Sequence, residues 1–213
     1  MTIDDIHKNV EIKIDKLILP GVLTVPLQAK AIILFSHGSG SSRLSPRNNY
    51  VAKMLQKAGL ATLLFDLLTL KEDFNYENRF NISLLTQRLI QVTKWIQEAE
   101  ETSHLKIGYF GASTGTASAL SAAAFYQDQI FAVVSRGGRP DLAIHDLSAV
   151  TSPVLLIVGA LDKEVIQLNQ NASNKLQCRH KTVIVPGASH LFEETGKLEE
   201  VSELTAAWFN KWL

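Results

Sequence analysis

The chain has 213 residues, enough for one well-buried hydrophobic core but few for two, so we expect a single domain over residues 1–213. Hydrophobic residues make up 46% of the sequence and charged residues 20%, a balance that fits a globular protein and argues against disorder. Because 21 Lys and Arg residues offset 21 Asp and Glu residues, the net charge argues against nucleic acid as the main partner.

The first residues and the cysteine content indicate a cellular setting. Asp4 and Asp5 stand where a secretory signal would carry positive charge, and no apolar run approaches the length that spans a bilayer. We therefore expect a cytoplasmic protein without a membrane partner. Cys178 is the only cysteine, so neither an intrachain disulfide nor a thiolate metal cluster can form. The sequence leaves the oligomeric state open.

Apolar runs and helical patterns alternate along most of the chain. A hairpin is expected first, with strands over 10–14 and 17–25 and a turn near Asp15 and Lys16. Further apolar runs that indicate strands lie at 31–36, 61–66, 106–110, 130–135, 154–158 and 181–185. Apolar residues at helical spacing are Val51, Met54, Leu55 and Ala58; Leu85, Leu89, Val92 and Ile96; and Val201, Leu204, Trp208 and Trp212. This alternation predicts an α/β fold with a doubly wound, mostly parallel sheet and an N-terminal antiparallel hairpin.

Residues that directly follow the predicted strands are the candidates for chemistry, because ligands of such sheets bind beyond the carboxyl ends of the strands. Residues 111–115 read Gly-Ala-Ser-Thr-Gly and match the Gly-x-Ser-x-Gly elbow, in which a serine sits on a sharp turn from strand to helix. An apolar strand precedes the motif and a helix of small residues follows it. We therefore predict that Ser113 is a nucleophile; the plainer interpretation is a tight turn with a capping serine.

A serine nucleophile needs a base to take its proton and an acid to orient that base, and in this type of fold the chain order is serine, acid, histidine. Asp162 and His190 follow two later strands in that order, so we predict them as the acid and the general base. Asp141 and Asp146 are rivals for the acid role. Taken alone, His190 could cap a helix end and Asp162 could be a helix N-cap.

Backbone N–H groups at two turns are candidates for an oxyanion hole, which stabilises the negative charge that builds on a cleaved carbonyl. Thr114 supplies one N–H, directly after the predicted nucleophile. The second should come from the turn at 37–40, His-Gly-Ser-Gly, through Ser39 or, as the near alternative, through Gly40. His37 itself is expected to steady this turn through its ring nitrogens.

Arginines also cluster after the strands. Arg43 and Arg47 follow the first central strand, and Arg136 and Arg139 follow the strand after the elbow. Arg43, Arg136 and Arg139 are therefore candidates to bind a carboxylate or phosphate of a substrate. The alternative is that these arginines brace loops by pairing with Asp66, Asp73 or Asp141, or are simply solvated.

With these residues assembled, the chain resembles the dienelactone-hydrolase-like branch of the α/β-hydrolase superfamily over nearly its whole length. The matching stretches are 36–43 (Ser-His-Gly-Ser-Gly-Ser-Ser-Arg), 108–115 (Gly-Tyr-Phe-Gly-Ala-Ser-Thr-Gly), 135–141 (Ser-Arg-Gly-Gly-Arg-Pro-Asp) and 186–194 (Pro-Gly-Ala-Ser-His-Leu-Phe-Glu-Glu). It is similar above all to the small hydrolase module that some bacterial proteins fuse to a phosphoribosyltransferase, here standing alone. The resemblance implies an α/β-hydrolase fold, a triad of Ser113, Asp162 and His190, no metal and no organic cofactor. One departure is that enzymes that open dienelactone use a cysteine nucleophile, whereas this elbow holds Ser113.

The segment 67–81 is the one stretch long enough to cover the site, and it is polar and short, so no large lid is expected. We therefore expect a serine hydrolase that cleaves small soluble carboxylic esters, thioesters or lactones through an acyl-enzyme intermediate. Two alternatives stay open: an acyltransferase that uses the same triad, and a non-catalytic binding protein on a hydrolase fold.

Overall fold

The computed structural model describes residues 5–213, and these build one mixed sheet of eight strands. In chain order the strands are β1 (Ile6–Ile14), β2 (Leu17–Val25), β3 (Ala31–Ser36), β4 (Ala61–Phe65), β5 (Lys106–Ala112), β6 (Ile130–Arg136), β7 (Val154–Gly159) and β8 (His180–Val185). Their order across the sheet is β1-β2-β4-β3-β5-β6-β7-β8. The pairs β1/β2 and β2/β4 are antiparallel, and all other pairs are parallel. The predicted α/β-hydrolase architecture, a mostly parallel sheet with an N-terminal hairpin, is confirmed.

Helices cover both faces of the sheet. They are α1 (Pro46–Lys57), α2 (Leu70–Asp73), α3 (Ile82–Glu98), α4 (Gly115–Tyr126), α5 (Lys163–Ser173) and α6 (Lys197–Trp212). Buried residues of α3, α4 and α5 pack on one face, and buried residues of α1 and α6 pack on the other. Because both faces are covered, β3, β4 and β7 are buried at every position, which explains why they form continuous apolar runs in the sequence. None of these helices is long and apolar enough to cross a bilayer.

The first strand is longer than the apolar pattern predicts. It starts at Ile6 rather than near residue 10, and its register with β2 pairs Ile6 with Val25. Residues 7–9 are polar and exposed, so the sequence shows no apolar pattern there that would predict a strand. Their backbone pairing with β2 alone extends the strand. The hairpin turns at Asp15 and Lys16, as expected.

The segment between β4 and α3 is compact and contains no large lid. It consists of the single helical turn α2 and a 3₁₀ turn over Tyr76–Phe80. Glu72 holds it in place, because its carboxylate completes a capping box with Thr69 and accepts a hydrogen bond from Arg88 at 2.5 Å. The segment is less polar on its surface than its charges suggest, since Leu70 and Phe74 are 85% and 90% exposed.

Steric contacts at two glycines fix the turn that joins β5 to α4. A Cβ on Gly111 would lie 2.6 Å from Cα of Thr116, and a Cβ on Gly115 would lie 2.1 Å from the carbonyl oxygen of Ser36. Neither position has room for a side chain, because the helix returns directly over the strand and against the end of β3. The turn therefore brings residue 113 to the carboxyl edge of the sheet, beside the end of β3.

Candidate active site

Ser113 holds a backbone conformation that residues other than glycine rarely adopt. Its φ is 51°, in the left-handed region, which costs conformational energy unless surrounding contacts enforce it. Its N–H donates to the carbonyl of Arg136 at 3.2 Å, and its own carbonyl accepts from Arg139 N–H at 3.0 Å and from Thr116 N–H at 3.1 Å. These three hydrogen bonds pair the backbone N–H and carbonyl of Ser113. They stabilise the strained turn and fix the direction in which the Ser113 side chain leaves the backbone.

The loop after β6 supports both the elbow and the loop of the predicted base. Arg136, the last residue of β6, and Arg139 of the loop supply two of the three backbone hydrogen bonds to Ser113. Gly137, at a φ of 52°, packs against the other side of the site, since a Cβ there would lie 3.0 Å from the carbonyl oxygen of His190. The Ser-Arg-Gly-Gly-Arg stretch is therefore a spacer that sets the distance between the loops of Ser113 and His190.

His190 and Asp162 are brought together although 28 residues separate them in the chain. Nδ1 of His190 lies 2.6 Å from Oδ2 of Asp162, a short distance typical of a charge-assisted hydrogen bond. Their loops are joined by a backbone hydrogen bond of 3.0 Å from Leu161 N–H to the carbonyl of Ala188. The Asp162 side chain is largely buried at 16% exposure, whereas His190 is 39% exposed and reaches solvent. This geometry leaves Nε2 as the nitrogen of His190 that can exchange protons with a neighbouring group.

The rival acids have other partners. Asp141 forms two 2.8 Å hydrogen bonds with the guanidinium of Arg139, and Asp146 accepts a hydrogen bond from Ser121 at 2.5 Å. Asp162 does occupy the N-cap position of α5, but its side chain makes no capping hydrogen bond and instead contacts His190. The geometry thus favours Asp162 for the acid role, which stays a prediction.

Ser113 and His190 line one cavity of about 240 Å³ at the carboxyl edge of the sheet. Gly38, Ser39, Ser41, Ser45, Arg47, Ala112, Arg136 and Leu191 complete its wall. No hydrogen bond joins Ser113 to His190 within residues 5–213, although catalytic hydrogen bonds of this kind often tighten only with substrate bound. A Cβ on Gly38 would lie 3.0 Å from Cβ of Ser113, so glycine at 38 keeps the serine accessible from this side.

His37 stabilises the turn beside the nucleophile. Its Nε2 accepts a hydrogen bond from Leu67 N–H at 3.0 Å, so the proton of the neutral ring is on Nδ1, which lies 2.9 Å from the carbonyl oxygen of Gly38. Burial lowers the pKa of His37 below its usual value, which keeps the ring neutral. With both ring nitrogens engaged, His37 is not free to act as a second base.

The backbone N–H groups that are predicted to bind the oxyanion differ in whether they already donate a hydrogen bond. Ser39 N–H donates to Oγ1 of Thr114 at 2.8 Å. The backbone N–H groups of Thr114 and Gly40 meet no acceptor within residues 5–213. Ser39 can therefore serve an oxyanion only by exchanging the Thr114 hydroxyl for it, whereas Thr114 N–H is available. Sequence reasoning missed this side-chain contact, because threonine at 114 has no signature beyond its place after the serine.

The strand-end arginines fall into two groups. Arg43 forms an ion pair with Asp66 at 2.5 Å, and Arg139 forms one with Asp141. Both arginines therefore stabilise loops, which is the alternative to substrate binding given above. Neither lines the cavity that contains Ser113, and a role for them in substrate binding stays a prediction. Arg136 and Arg47, by contrast, both line that cavity.

Residues 5–213 contain no cluster of three or more His, Cys, Asp or Glu side chains arranged to hold a metal ion. The groups that line the site are a serine, a histidine bound to a carboxylate, and the backbone donors around them.

Comparison with known proteins assigns the chain to a family. The profile of the dienelactone hydrolase family matches residues 19–212. A protein of Mycobacterium tuberculosis strain H37Rv that carries the name phosphoribosyl transferase is 54% identical over 189 residues, which are 89% of this chain and 43% of that protein. The chain thus spans less than half the length of this relative.

Solved structures agree with the profile. A dienelactone hydrolase from Anabaena variabilis is 50% identical, and the match covers 99% of both chains with a TM-score of 0.95. Est1E from Butyrivibrio proteoclasticus has a TM-score of 0.82 over 96% of this chain and 98% of its own. At 18% identity, Est1E shows a shared fold and nothing further.

The contact between Ser39 and Thr114 predicts a measurable effect on stability. In a Thr114→Val variant the shape is kept but Ser39 N–H loses its acceptor, so the free energy of unfolding should fall by about 1 kcal/mol. Thr114→Ser keeps an oxygen at this position and is the matched control. Denaturant unfolding of the three proteins measures the difference, and a valine variant as stable as the serine variant would contradict the contact.

Proposed function

Because the chain belongs to the dienelactone hydrolase family and is an α/β hydrolase, we propose that it is a serine hydrolase that cleaves small carboxylic esters, thioesters or lactones. One observation carries this proposal: Ser113, held in a left-handed elbow, shares a cavity with a histidine whose Nδ1 is bound to a buried carboxylate. In that arrangement the imidazole presents Nε2 to the cavity and can accept the proton of the serine hydroxyl.

The proposed reaction has two halves. First, His190 Nε2 takes the Ser113 proton while Oγ attacks the ester carbonyl; the tetrahedral intermediate collapses, and the alcohol leaves with that proton. An acyl-enzyme ester on Ser113 remains. In the second half His190 removes a proton from water, the hydroxide attacks the acyl carbonyl, and the proton returns to Ser113 as the carboxylic acid departs. Asp162 stabilises the imidazolium that forms in both halves.

Backbone donors would stabilise the oxyanion of both tetrahedral intermediates. Thr114 N–H needs no rearrangement, since no acceptor within residues 5–213 occupies it. The second donor is either Gly40 N–H or Ser39 N–H, and Ser39 would first release the Thr114 hydroxyl. Two such donors typically stabilise the transition state by a few kcal/mol.

The size and setting of the site support small substrates. The cavity of about 240 Å³ is smaller than the roughly 300 to 1,000 Å³ typical of small-molecule sites, and the short 67–81 segment is no large lid. We also propose that residues 1–213 act as one domain in the cytoplasm. The continuous sheet supports the first point, and the lone Cys178, whose thiol pKa burial raises, supports a reducing setting.

Hydrolysis of short 4-nitrophenyl esters tests the proposal. The protein should release 4-nitrophenolate with enzymatic turnover, and Ser113→Ala should reduce kcat by at least about 10³-fold, since the acyl-enzyme can no longer form. Ser173→Ala, at the end of α5 and outside the cavity, is the matched control and should keep full activity. A folded protein that hydrolyses no ester, or equal rates in the two variants, would contradict the proposal.

The role of Asp162 makes a sharper prediction. Asp162→Asn keeps the size of the side chain but removes the charge that orients and stabilises His190, so kcat should fall by about 10³- to 10⁴-fold. Asp141→Asn and Asp146→Asn, whose carboxylates contact Arg139 and Ser121, should change kcat by less than about tenfold. If either control lost more activity than Asp162→Asn, the acid would have to be reassigned.

A further inference from the structure

Arg136 is the side chain of the cavity whose presence the proposed hydrolysis does not explain. It ends strand β6, and its carbonyl accepts the Ser113 N–H, so its backbone lies directly beside the nucleophile. The residue is 7% exposed and forms part of the cavity wall with Ser113 and His190. A buried cation thus lies at the wall of the cavity rather than on the protein surface.

No acidic group among the described residues neutralises this cation. Within residues 5–213 Arg136 forms no ion pair, and its buried Nε and Nη1 have no hydrogen-bond partner. The other buried arginine of residues 5–213, Arg88, is paired with Glu72, and the partly buried Arg43 is paired with Asp66. Burial lowers the pKa of Arg136 to about 10, with a further contribution from Arg47, and the group stays charged at neutral pH. An unpaired buried charge costs stability, so a ligand that supplies the counter-charge would recover what the fold loses.

Further positive potential surrounds the same cavity. Arg47 also lines it, and its guanidinium is partly neutralised by Glu193 at the solvent edge. The cavity wall includes Ser45, the N-cap of the 12-residue helix α1, whose first turn contains no acidic residue. The positive end of that helix dipole therefore lies at the cavity, and no acidic residue in the first turn of α1 itself offsets it.

We propose that Arg136, supported by Arg47 and the N-terminus of α1, forms a subsite that binds an anionic group of the substrate. The preferred substrate is then an ester that also carries a carboxylate or phosphate. The ester part of this inference rests on the proposed hydrolase function; the anion-binding part does not. A guanidinium with free N–H groups in a desolvated pocket binds either oxyanion strongly, and the helix end and Ser41 add donors. The subsite lies next to Ser113, so the anionic group and the scissile carbonyl belong to one small molecule.

Matched esters separate this subsite from the catalytic groups. The wild-type protein is assayed with 4-nitrophenyl butyrate, with the 4-nitrophenyl monoester of succinic acid, and with the 4-nitrophenyl ester of 3-phosphonopropionic acid. All three share one leaving group, and only the last two carry an acyl-side anion. We expect kcat/KM to be higher for at least one anionic ester, and the ratio of the two anionic esters tells carboxylate from phosphate-type recognition.

Substitutions then assign the preference to the arginines. Arg136→Met should lower the ratio of kcat/KM for the preferred anionic ester to kcat/KM for 4-nitrophenyl butyrate by about ten- to hundredfold, because only the anionic ester makes the charge-assisted contact. Arg47→Met should have a smaller effect of the same kind. Arg179→Met removes the same charge at the opposite edge of the sheet, where Arg179 is exposed beside Trp212, and should alter neither ester. An equal loss for neutral and anionic esters in Arg136→Met would overturn the subsite.

Binding and stability give a readout that needs no activity. Succinate and inorganic phosphate are titrated into the wild type, Arg136→Met and Arg179→Met, and heat of binding and Tm are recorded. At least one anion should bind the wild type and Arg179→Met and raise their Tm, and the effect should vanish in Arg136→Met. The Tm of unliganded Arg136→Met should be equal to or above that of the wild type, because the guanidinium forms no hydrogen bond or ion pair within residues 5–213 and methionine removes the buried charge. An arginine with a purely structural role would instead lower it.

These outcomes keep the two proposals apart. Anion binding that depends on Arg136 in a protein that hydrolyses no ester would support the subsite and contradict the hydrolase. Hydrolysis of the neutral ester without any preference for the anionic esters, or the absence of anion binding in the folded wild type, would overturn the subsite and leave the hydrolase intact. If Arg136→Met fails to fold, the arginine is structural, and loss of the anionic preference in Arg47→Met then decides whether an anion binds at all.

Discussion

Ser113 adopts a φ of 51°, and the cost of that left-handed backbone is offset only because several distant parts of the chain meet at the turn. Gly111 and Gly115 allow α4 to fold back over β5 and against the end of β3, where any side chain would collide. The loop after β6 satisfies the N–H and the carbonyl of Ser113. The elbow thus depends on three neighbouring strands, and the Cα–Cβ bond of Ser113 cannot point elsewhere without breaking those contacts.

The same loop connects the nucleophile to its predicted base and to the guanidinium of Arg136, which has no ion-pair partner within residues 5–213. Its carbonyl and N–H groups hold Ser113, Gly137 packs against His190, and Arg136 places a charged side chain into the wall between them. Fixed positions of this kind reduce the reorganisation needed during a reaction, which is the usual origin of electrostatic stabilisation in enzyme sites. A buried charge without a partner lowers the free energy of unfolding. In the proposed subsite, a bound anionic ligand supplies the missing counter-charge.

Sequence patterns predict the central strands and the positions of Ser113, Asp162 and His190, because continuous apolar runs and strand-end residues follow directly from burial in a parallel sheet. They miss the first residues of β1, which are exposed and paired on one side only. They also do not distinguish Arg136 from Arg43 and Arg139. All three follow strands, and only the fold shows that Asp66 and Asp141 neutralise two of them. The sequence also does not predict the hydrogen bond from Ser39 N–H to the hydroxyl of Thr114, because this bond depends on the threonine rotamer and on the distance between the two turns.

The central claim is that the environment of Ser113 activates its hydroxyl, and covalent labelling measures this most directly. The folded protein is treated with a fluorophosphonate, its intact mass is followed with time, and the modified peptide is identified by mass spectrometry. We expect a single adduct, on Ser113, that forms far more slowly in an Asp162→Asn variant. Absence of any adduct, or an adduct on another serine at the same rate in both proteins, would contradict it.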